Sequence, residues 1–290
     1  MRLVIDMGQR LLHAVQGEVR RGRVIIRRAV TVETPEDLDT TDPKATGAWL
    51  AETLRGAGIR STRAIFVVSR DVASHKRLIL PTTHAEDLPD MTRLAMQREL
   101  GPAAEGTIID FIPGGREDAG TVVQAFAVPQ REIDAIRALA EHAKIAISRI
   151  ALRTFGSALL LETLDRSFDS SAMQLALDLT GEGLDLCFLS GSELRPSRGA
   201  EVRYQRDPGA AADAALTEVR RSWAAWRLAQ PSSEIARGLI LGEPEMARRV
   251  ADGVRDLIGN ATILDSHPLI GGKADAVGAL EACWPLAGVL

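Results

Sequence analysis

A short strand pattern that ends in aspartate occurs twice in this chain, and it constrains the fold more than any other feature. Residues 3–8 read Leu-Val-Ile-Asp-Met-Gly, and residues 175–180 read Leu-Ala-Leu-Asp-Leu-Thr, so Asp6 and Asp178 end corresponding apolar runs. A turn and a second run of strand character follow each copy, at 11–15 and at 184–190. Two strands joined by a short turn predict a hairpin. The sequence therefore predicts two related lobes that each open with a hairpin.

Two such hairpins can face each other across a cleft. Carboxylates at their tips, together with backbone N–H groups of the turns, would surround a phosphate chain and its Mg²⁺. The alternative is that Asp6 and Asp178 make only local hydrogen bonds within their turns. The residues alone leave both interpretations open.

Composition excludes several other classes of protein. The chain has 290 residues, 46% of them hydrophobic, which is ample for a packed core of two lobes. Its net charge of −4 gives no general reason to expect nucleic acid binding. The two cysteines, Cys187 and Cys283, cannot build a disulfide framework or a four-ligand zinc site, which favours a cytoplasmic protein. No stretch has the roughly 20 apolar residues of a membrane span, so membrane association is expected only through a partner.

The order of elements predicts three units. An Asp42-Pro43 pair starts a helix, and the apolar run 64–68 predicts a central strand of the first lobe, residues 1–75. Residues 76–145 show the order strand, helix, strand, strand, helix, which predicts an inserted α+β subdomain. Residues 146–290 form the second lobe, from which the chain can return to the first.

This order of segments resembles that of PilM, the actin-like protein of type IV pilus assembly. The resemblance covers nearly the whole chain, and the order and spacing of the segments carry it. The segments are 3–8, 63–68, 78–81, 85–100, 109–111, 123–142, 175–179, 218–226 and 238–242. The cytoplasmic domain of the type II secretion protein GspL is a similar relative.

The resemblance implies an α/β fold of duplicated ribonuclease H-like (actin-like) lobes with a small α+β subdomain inserted. It also implies ATP with Mg²⁺ between the lobes, and a groove between the first lobe and the subdomain for the cytoplasmic tail of an inner-membrane partner, PilN-like or from a GspL system. Four apolar residues fall in that region, but the default explanation for each is the subdomain core: Leu80, Met91, Leu94 and Phe111. The expected location is cytoplasmic, peripheral to the inner membrane.

The resemblance assigns five cofactor-binding positions. They are Asp6, Gly8, Asp178, Gly181 and Gly242.

The residues around those five positions depart from the family pattern. Gln9 and Arg10 replace small hydroxyl residues of the first phosphate motif, and His13 lies near the place of its lysine. Thr180 replaces a glycine of the second motif, and Glu243 replaces the second glycine of the adenosine turn. Two lost charge-assisted hydrogen bonds to phosphate, at about 1.5–3 kcal/mol each, weaken binding by about two to four decades. The expected nucleotide site is therefore degenerate.

The sequence offers no convincing catalytic group and no metal-ligand spacing. It has neither a P-loop nor a Gly-x-Ser-x-Gly elbow, and its five histidines read as surface or boundary residues. The preferred interpretation is a non-enzymatic scaffold, with weak ATPase activity as the most that is expected. The alternative is an ATP-binding actin-like ATPase or small-molecule kinase that uses the cleft between the lobes.

Overall fold

Strands and helices alternate along the chain in the computed structural model. The structure describes residues 1–165, 172–190, 193–195, 198–200, 208–229 and 234–290. Its strands are β1 (Arg2–Met7), β2 (Leu11–Arg20), β3 (Arg23–Glu33), β4 (Arg63–Val68), β5 (Ser74–Leu80), β6 (Thr107–Glu117), β7 (Gly120–Pro129), β8 (Ala146–Leu152), β9 (Met173–Asp178), β10 (Leu184–Ser190), β11 (Glu193–Leu194), β12 (Arg198–Ala200), β13 (Ile235–Leu241), β14 (Ala261–Ile263) and β15 (Ile270–Gly272). Its helices are α1 (Pro43–Gly56), α2 (Leu88–Leu100), α3 (Gln130–His142), α4 (Arg153–Leu164), α5 (Pro208–Ala229), α6 (Pro244–Gly253), α7 (Ala274–Gly278) and α8 (Trp284–Val289), with 3₁₀ turns at Ala85–Asp87, Gly101–Ala104 and Ala279–Ala282.

The first sheet has the strand order β15-β3-β2-β1-β4-β8. β1 and β2 form the predicted antiparallel hairpin, while β4 and β8 run parallel to β1. Helices α1 and α3 cover one face through an apolar cluster that includes Leu3, Leu50 and Leu139. α1 begins as expected, because the Asp42 side chain accepts a hydrogen bond from the Lys44 N–H at 2.9 Å.

The second sheet repeats this plan. β9 and β10 form an antiparallel hairpin, and β13 and β14 follow as parallel strands in the order β11-β10-β9-β13-β14. One face packs against α5 and α6 through a cluster that includes Leu177, Val219 and Val250. The predicted duplication, and with it the fold class, is confirmed.

Helices α4 and α8 pack on each other between the two sheets. α8 contacts β1 and β2 of the first sheet, whereas α4 contacts β9 and β10 of the second. Trp284 of α8 is fully buried in the cluster that joins both sheets. The contact is close because the Cβ of any residue replacing Gly156 would overlap the Pro285 carbonyl oxygen.

The inserted unit is built on a separate antiparallel sheet with the order β5-β7-β6. Helix α2 covers one face, where Leu80, Met91 and Phe111 join its small core, while Leu94 is 67% exposed. By sheet membership β8 and β15 belong to the first lobe, and α3 packs against α1. The unit boundaries 1–75, 76–145 and 146–290 stay predictions.

The expectation for the histidines is wrong in three of five cases. His13, His75 and His267 are buried, at 2%, 9% and 6% exposure. Each has a polar partner: Thr31 Oγ1 at 2.9 Å for His13, Gln124 Oε1 at 2.7 Å for His75, and the Leu160 carbonyl at 3.1 Å for His267. Burial lowers the pKa of both His13 and His75 to about 4, so the two rings are neutral at pH 7.

Candidate functional site

The aspartates of the two repeated strands meet at one guanidinium group. Nε of Arg153 donates to Oδ2 of Asp178 at 2.7 Å, and Nη1 donates to Oδ2 of Asp6. The third nitrogen, Nη2, donates to Oγ1 of Thr180. We call Asp6, Arg153, Asp178 and Thr180 the cleft cluster. An arginine therefore joins the two hairpins at the place where the sequence predicted a phosphate and a cation.

Arg153 is placed there by the way its helix is packed. It is the first residue of α4, directly after β8 of the first sheet, and α4 itself lies against β9 and β10 of the second. The Arg153 side chain is only 4% exposed. A buried guanidinium needs several acceptors, and the cleft cluster supplies two carboxylates and a hydroxyl.

The second carboxylate oxygen of Asp178 is also bonded. Oδ1 accepts hydrogen bonds from the Thr180 N–H at 2.9 Å and from its hydroxyl at 2.6 Å. These are the local turn hydrogen bonds that the sequence offered as the alternative for Asp178. Asp178 is 1% exposed, and both of its carboxylate oxygens accept hydrogen bonds from groups of the protein itself.

A glutamate of the second lobe lies on the turn of the first hairpin. Oε1 of Glu182 accepts hydrogen bonds from the backbone N–H groups of Arg10, at 2.5 Å, and Leu11, at 2.9 Å. A Cβ at Gly8 would overlap the same carboxylate, so this glycine is needed for its close approach. An anionic side chain thus occupies the N–H groups that a phosphate would use.

A second buried carboxyl group lies behind Asp178. Asp185 pairs with Asp178 across the β9–β10 ladder, and its Oδ2 accepts a hydrogen bond from the Thr154 hydroxyl. Burial raises the pKa of Asp185 to about 7, and the Asp178 charge adds to the rise, against the opposing hydrogen bond from Thr154. Oδ1 of Asp185 has no hydrogen-bond partner in the described part of the chain. The carboxyl group is therefore poised to hold a proton near neutral pH.

The two remaining glycines of the predicted site pack against side chains. A Cβ at Gly181 would lie 3.4 Å from Cζ of Arg153, and one at Gly242 would lie 3.0 Å from Cβ of Leu179. The role of all five predicted positions in holding a cofactor stays a prediction.

A cavity of about 670 Å³ opens beside the turn that carries Glu243. It lies between β3 of the first lobe, the start of α6, and the segment around Ala279. Three carboxylates and one guanidinium line it: Glu243, Glu245, Glu281 and Arg248. Glu243 is exposed at the N-cap of α6. This excess of negative charge opposes the binding of a polyphosphate.

The residues present do not fit a magnesium–polyphosphate group. A guanidinium already forms ion pairs with both aspartates, and a carboxylate already accepts hydrogen bonds from the turn N–H groups. ATP would have to displace both groups and then face the glutamates of the cavity. The chemistry that the cleft supports is structural: it holds two lobes together by charge-assisted hydrogen bonds.

Sequence reasoning missed Arg153 and Glu182. Signals for both were present, because Arg153 is a cation at the start of a mostly apolar helix, and Glu182 is an acidic residue in the turn after the second repeated strand. An acidic residue in a phosphate turn argues against phosphate. What the sequence did not show is that Glu182 would reach the other hairpin.

The two lobes and the inserted sheet define the class of the protein. Two sheets that each begin with a hairpin, with a helix pair between them, form the actin-like ATPase fold. No protein-family model matches the sequence. No curated protein sequence matches it.

Solved structures extend this assignment. A chain of the PilM–PilN type IV pilus biogenesis complex is similar with a TM-score of 0.82 and 18% identity, over 99% of this chain and 96% of that one. The cytoplasmic domain of EpsL, an inner-membrane component of the type II secretion system of Vibrio cholerae, is similar with a TM-score of 0.56 and 11% identity. The match covers 98% of this chain and 94% of that one. A Bacteroides thetaiotaomicron protein with an actin-like ATPase fold is similar with a TM-score of 0.54 and 11% identity. The match covers 97% of this chain and 95% of that one. The resemblance inferred from sequence is thus confirmed at the level of the fold.

Among the described residues, no helix combines the length and the apolar character that a membrane span requires.

Proposed function

We propose that this chain is a cytoplasmic scaffold of a type IV pilus or related secretion platform at the inner membrane. In this role it binds the cytoplasmic tail of a PilN-like membrane partner and has a degenerate nucleotide site. The likeness to a chain of the PilM–PilN complex, over nearly the whole of both chains, supports the assignment.

One observation carries the proposal. Arg153 bonds both repeated aspartates, and Glu182 bonds the N–H groups of the first hairpin turn, where the family pattern would place a cation and a phosphate. The lobes are therefore held together without a nucleotide, which suits a scaffold better than an enzyme that opens and closes around ATP. Two candidate bases of the cleft are unsuited to that role, because both oxygens of Asp178 are hydrogen-bonded and burial lowers the pKa of His13 to about 4.

The proposed groove lies beside the three-stranded sheet, on the face opposite α2. Ile79 and Ile112 lie on this face and are 40% and 46% exposed. On the same face, Phe126 is buried against Phe155 of α4, with ring centroids 5.2 Å apart. Between these isoleucines and Phe126 the face is polar, because Arg77 and Gln124 both donate hydrogen bonds to Glu193 of β11 in the second sheet. The two isoleucines therefore form a small exposed apolar patch at the outer part of this face. An extended peptide with apolar side chains would cover them.

The groove is tested by calorimetric titration with the N-terminal cytoplasmic peptide of the membrane protein encoded beside this one. Ile112→Asp should weaken binding at least about tenfold, since it places a charge in an apolar contact. Leu94→Asp is the matched control, because Leu94 is exposed on α2, away from this face, and should leave the affinity unchanged. Absence of binding at high micromolar peptide would contradict the proposal.

The second candidate is a nucleotide-dependent activity, either a weak ATPase or a small-molecule kinase. The cavity beside Gly242 and Glu243 is the observation that favours it. A thermal-shift titration with Mg-ATP separates the two candidates, because a ligand that binds only the native state raises the melting midpoint with its concentration. A flat response supports the scaffold, and a rising midpoint that requires Asp6 and Asp178 supports the alternative.

A further inference from the structure

The end of the first sheet opposite the cleft collects unpaired positive charges. β1, β4 and β8 are parallel and begin at this end, β2 ends there, and β3 starts there. The loops at these strand ends carry five exposed cations that form what we call the basic edge: Arg21, Arg23, Arg60, Arg63 and Lys144. Four strand spacings of about 4.8 Å separate β3 from β8, so the basic edge is about 20 Å wide.

None of the five side chains of the basic edge has an ion pair or hydrogen bond within the described ranges. The nearby carboxylates do little to neutralise it. Glu18 is engaged by Arg20, at 2.9 Å, and by Arg27, while exposed Glu141 lies at the end of α3 and exposed Asp265 lies in the loop that leads to β15. At physiological ionic strength the Debye length is about 8 Å, so neighbouring members of the edge add to one local positive potential.

Two of the five cations occupy unfavourable backbone positions. Arg21 has φ of 51° and Lys144 has φ of 59°, in the left-handed region where glycine or asparagine is usual. Backbone stability alone therefore gives no reason for a long cationic side chain at either position.

Exposed apolar side chains accompany the charges. Val19, in the last residues of β2, is 46% exposed, and Met1, just before β1, is 76% exposed. Apolar side chains among arginine and lysine suit the headgroup region of a bilayer. The apolar side chains insert between the lipids there, and the cations bind lipid phosphates. A nucleic acid would gain little from valine or methionine, and loops 20–23, 57–62 and 143–146 contain no phenylalanine, tyrosine or tryptophan for base stacking.

We propose that the basic edge is a docking surface for an anionic lipid bilayer. The protein as a whole has a net charge of −4, so a uniformly charged surface would be repelled, and binding must come from this local edge. It lies at the opposite end of the first sheet from Asp6 and from the inserted sheet, which leaves the cleft and the proposed peptide groove free. The inference goes beyond the proposed scaffold function and does not depend on the peptide.

Vesicle co-sedimentation of the full chain tests the proposal. We expect binding to phosphatidylcholine vesicles that contain phosphatidylglycerol, no binding to phosphatidylcholine alone, and release by added salt. A triple variant, Arg21→Asn with Arg23→Gln and Arg63→Gln, should lower the partition coefficient about 100-fold, since each cation near such a surface contributes about one decade or slightly less. Asparagine suits the left-handed position, so the turn at residue 21 is retained.

The matched control removes the same charge elsewhere. Arg98→Gln, Arg131→Gln and Arg227→Gln together change three exposed arginines of α2, α3 and α5, and should alter binding only a few-fold. Val19→Ser should weaken vesicle binding without any change of charge. Equal loss in both triples, tighter binding to duplex DNA than to the vesicles, or no vesicle binding at low salt would overturn the proposal. Peptide affinity measured on the same variants should not change, so failure here is separable from failure of the scaffold function.

Discussion

Nε of Arg153 lies 2.7 Å from Oδ2 of Asp178, and neither side chain is more than 4% exposed. The same guanidinium reaches Asp6 on the first lobe. The pair is therefore a link between the two halves of the molecule, made by a residue that belongs to the helix between them. Removing one partner of such a buried pair leaves charge without compensation.

Arg153→Ala should lower the free energy of unfolding by about 3–5 kcal/mol, because the buried Asp178 and the partly buried Asp6 then lack a cation. Urea denaturation measures the loss. Arg153→Lys should recover only part of the lost stability, since a single ammonium group cannot reproduce the three hydrogen bonds that the planar guanidinium makes to Asp6, Asp178 and Thr180. If Arg153 stands where a cation would bind, millimolar Mg²⁺ should stabilise Arg153→Ala more than the wild type.

Arg220→Ala provides the control for the loss of an arginine ion pair. Arg220 pairs with Asp256 at 3.0 Å, but both side chains are at least half exposed. Arg220→Ala should lower the free energy of unfolding by less than about 1 kcal/mol. Equal destabilisation by Arg153→Ala and Arg220→Ala would show that the cleft cluster has no special role.

Glu182→Ala should free the N–H groups of Arg10 and Leu11 and lower the free energy of unfolding by about 1–2 kcal/mol. The vacated turn can then accept another anion. We expect inorganic phosphate to raise the thermal midpoint of Glu182→Ala and to leave that of the wild type unchanged. An identical phosphate response in both proteins would mean that Glu182 does not occupy a phosphate position.

Asp185→Asn should change how stability depends on pH. Burial raises the pKa of Asp185 to about 7 in the folded protein, against 3.8 for the ordinary group. Between these values the folded protein holds a proton that the unfolded chain has released, so stability falls as pH rises from about 4 to 7. The introduced asparagine does not titrate, so the variant does not lose stability in this way. Its free energy of unfolding relative to that of the wild type should rise by on the order of 2–4 kcal/mol between pH 4 and pH 8.

Urea unfolding of wild type and Asp185→Asn at several pH values measures this difference. Three buried histidines act in the opposite sense, because their pKa values are lowered and protonation of the unfolded chain costs stability as the pH falls. They are present in both proteins and cancel in the difference. Asp37→Asn, which removes an exposed carboxylate, is the control and should change the pH profile much less. A constant difference between wild type and Asp185→Asn across this range would contradict the prediction.

The elements predicted correctly from sequence are those with local signals. The start of α1 depends on Asp42 and Pro43, and the hairpins depend on strand runs a few residues apart. Within 274–289 the helical structure is interrupted, because Cys283 adopts φ of −151° and separates a 3₁₀ turn from α8. β15 has three residues and pairs with β3 near the start of the chain. No local sequence pattern predicts this pairing.

The candidate site shows the same limit in a sharper form. The sequence located Asp6 and Asp178, since each ends a recognisable strand. Arg153 is 147 residues from Asp6, and Glu182 is 172 residues from Arg10, so their contacts arise only when the lobes close. The departures from the family's phosphate motifs are visible in the sequence, but the contacts of Arg153 and Glu182 with the two hairpins are not.

Gly156→Ala should separate α4 from α8. A Cβ at this position would overlap the Pro285 carbonyl oxygen, which is backbone and cannot rotate away, so α8 must move and Trp284 lose its packing. We expect the free energy of unfolding to fall by about 3 kcal/mol or more, with a red shift of tryptophan emission. Gly56→Ala is the control, since open space surrounds that position at the end of α1 and the change should be neutral or slightly stabilising. Equal stability of the two variants would show that α8 tolerates displacement and does not hold α4, and with it Arg153, between the lobes.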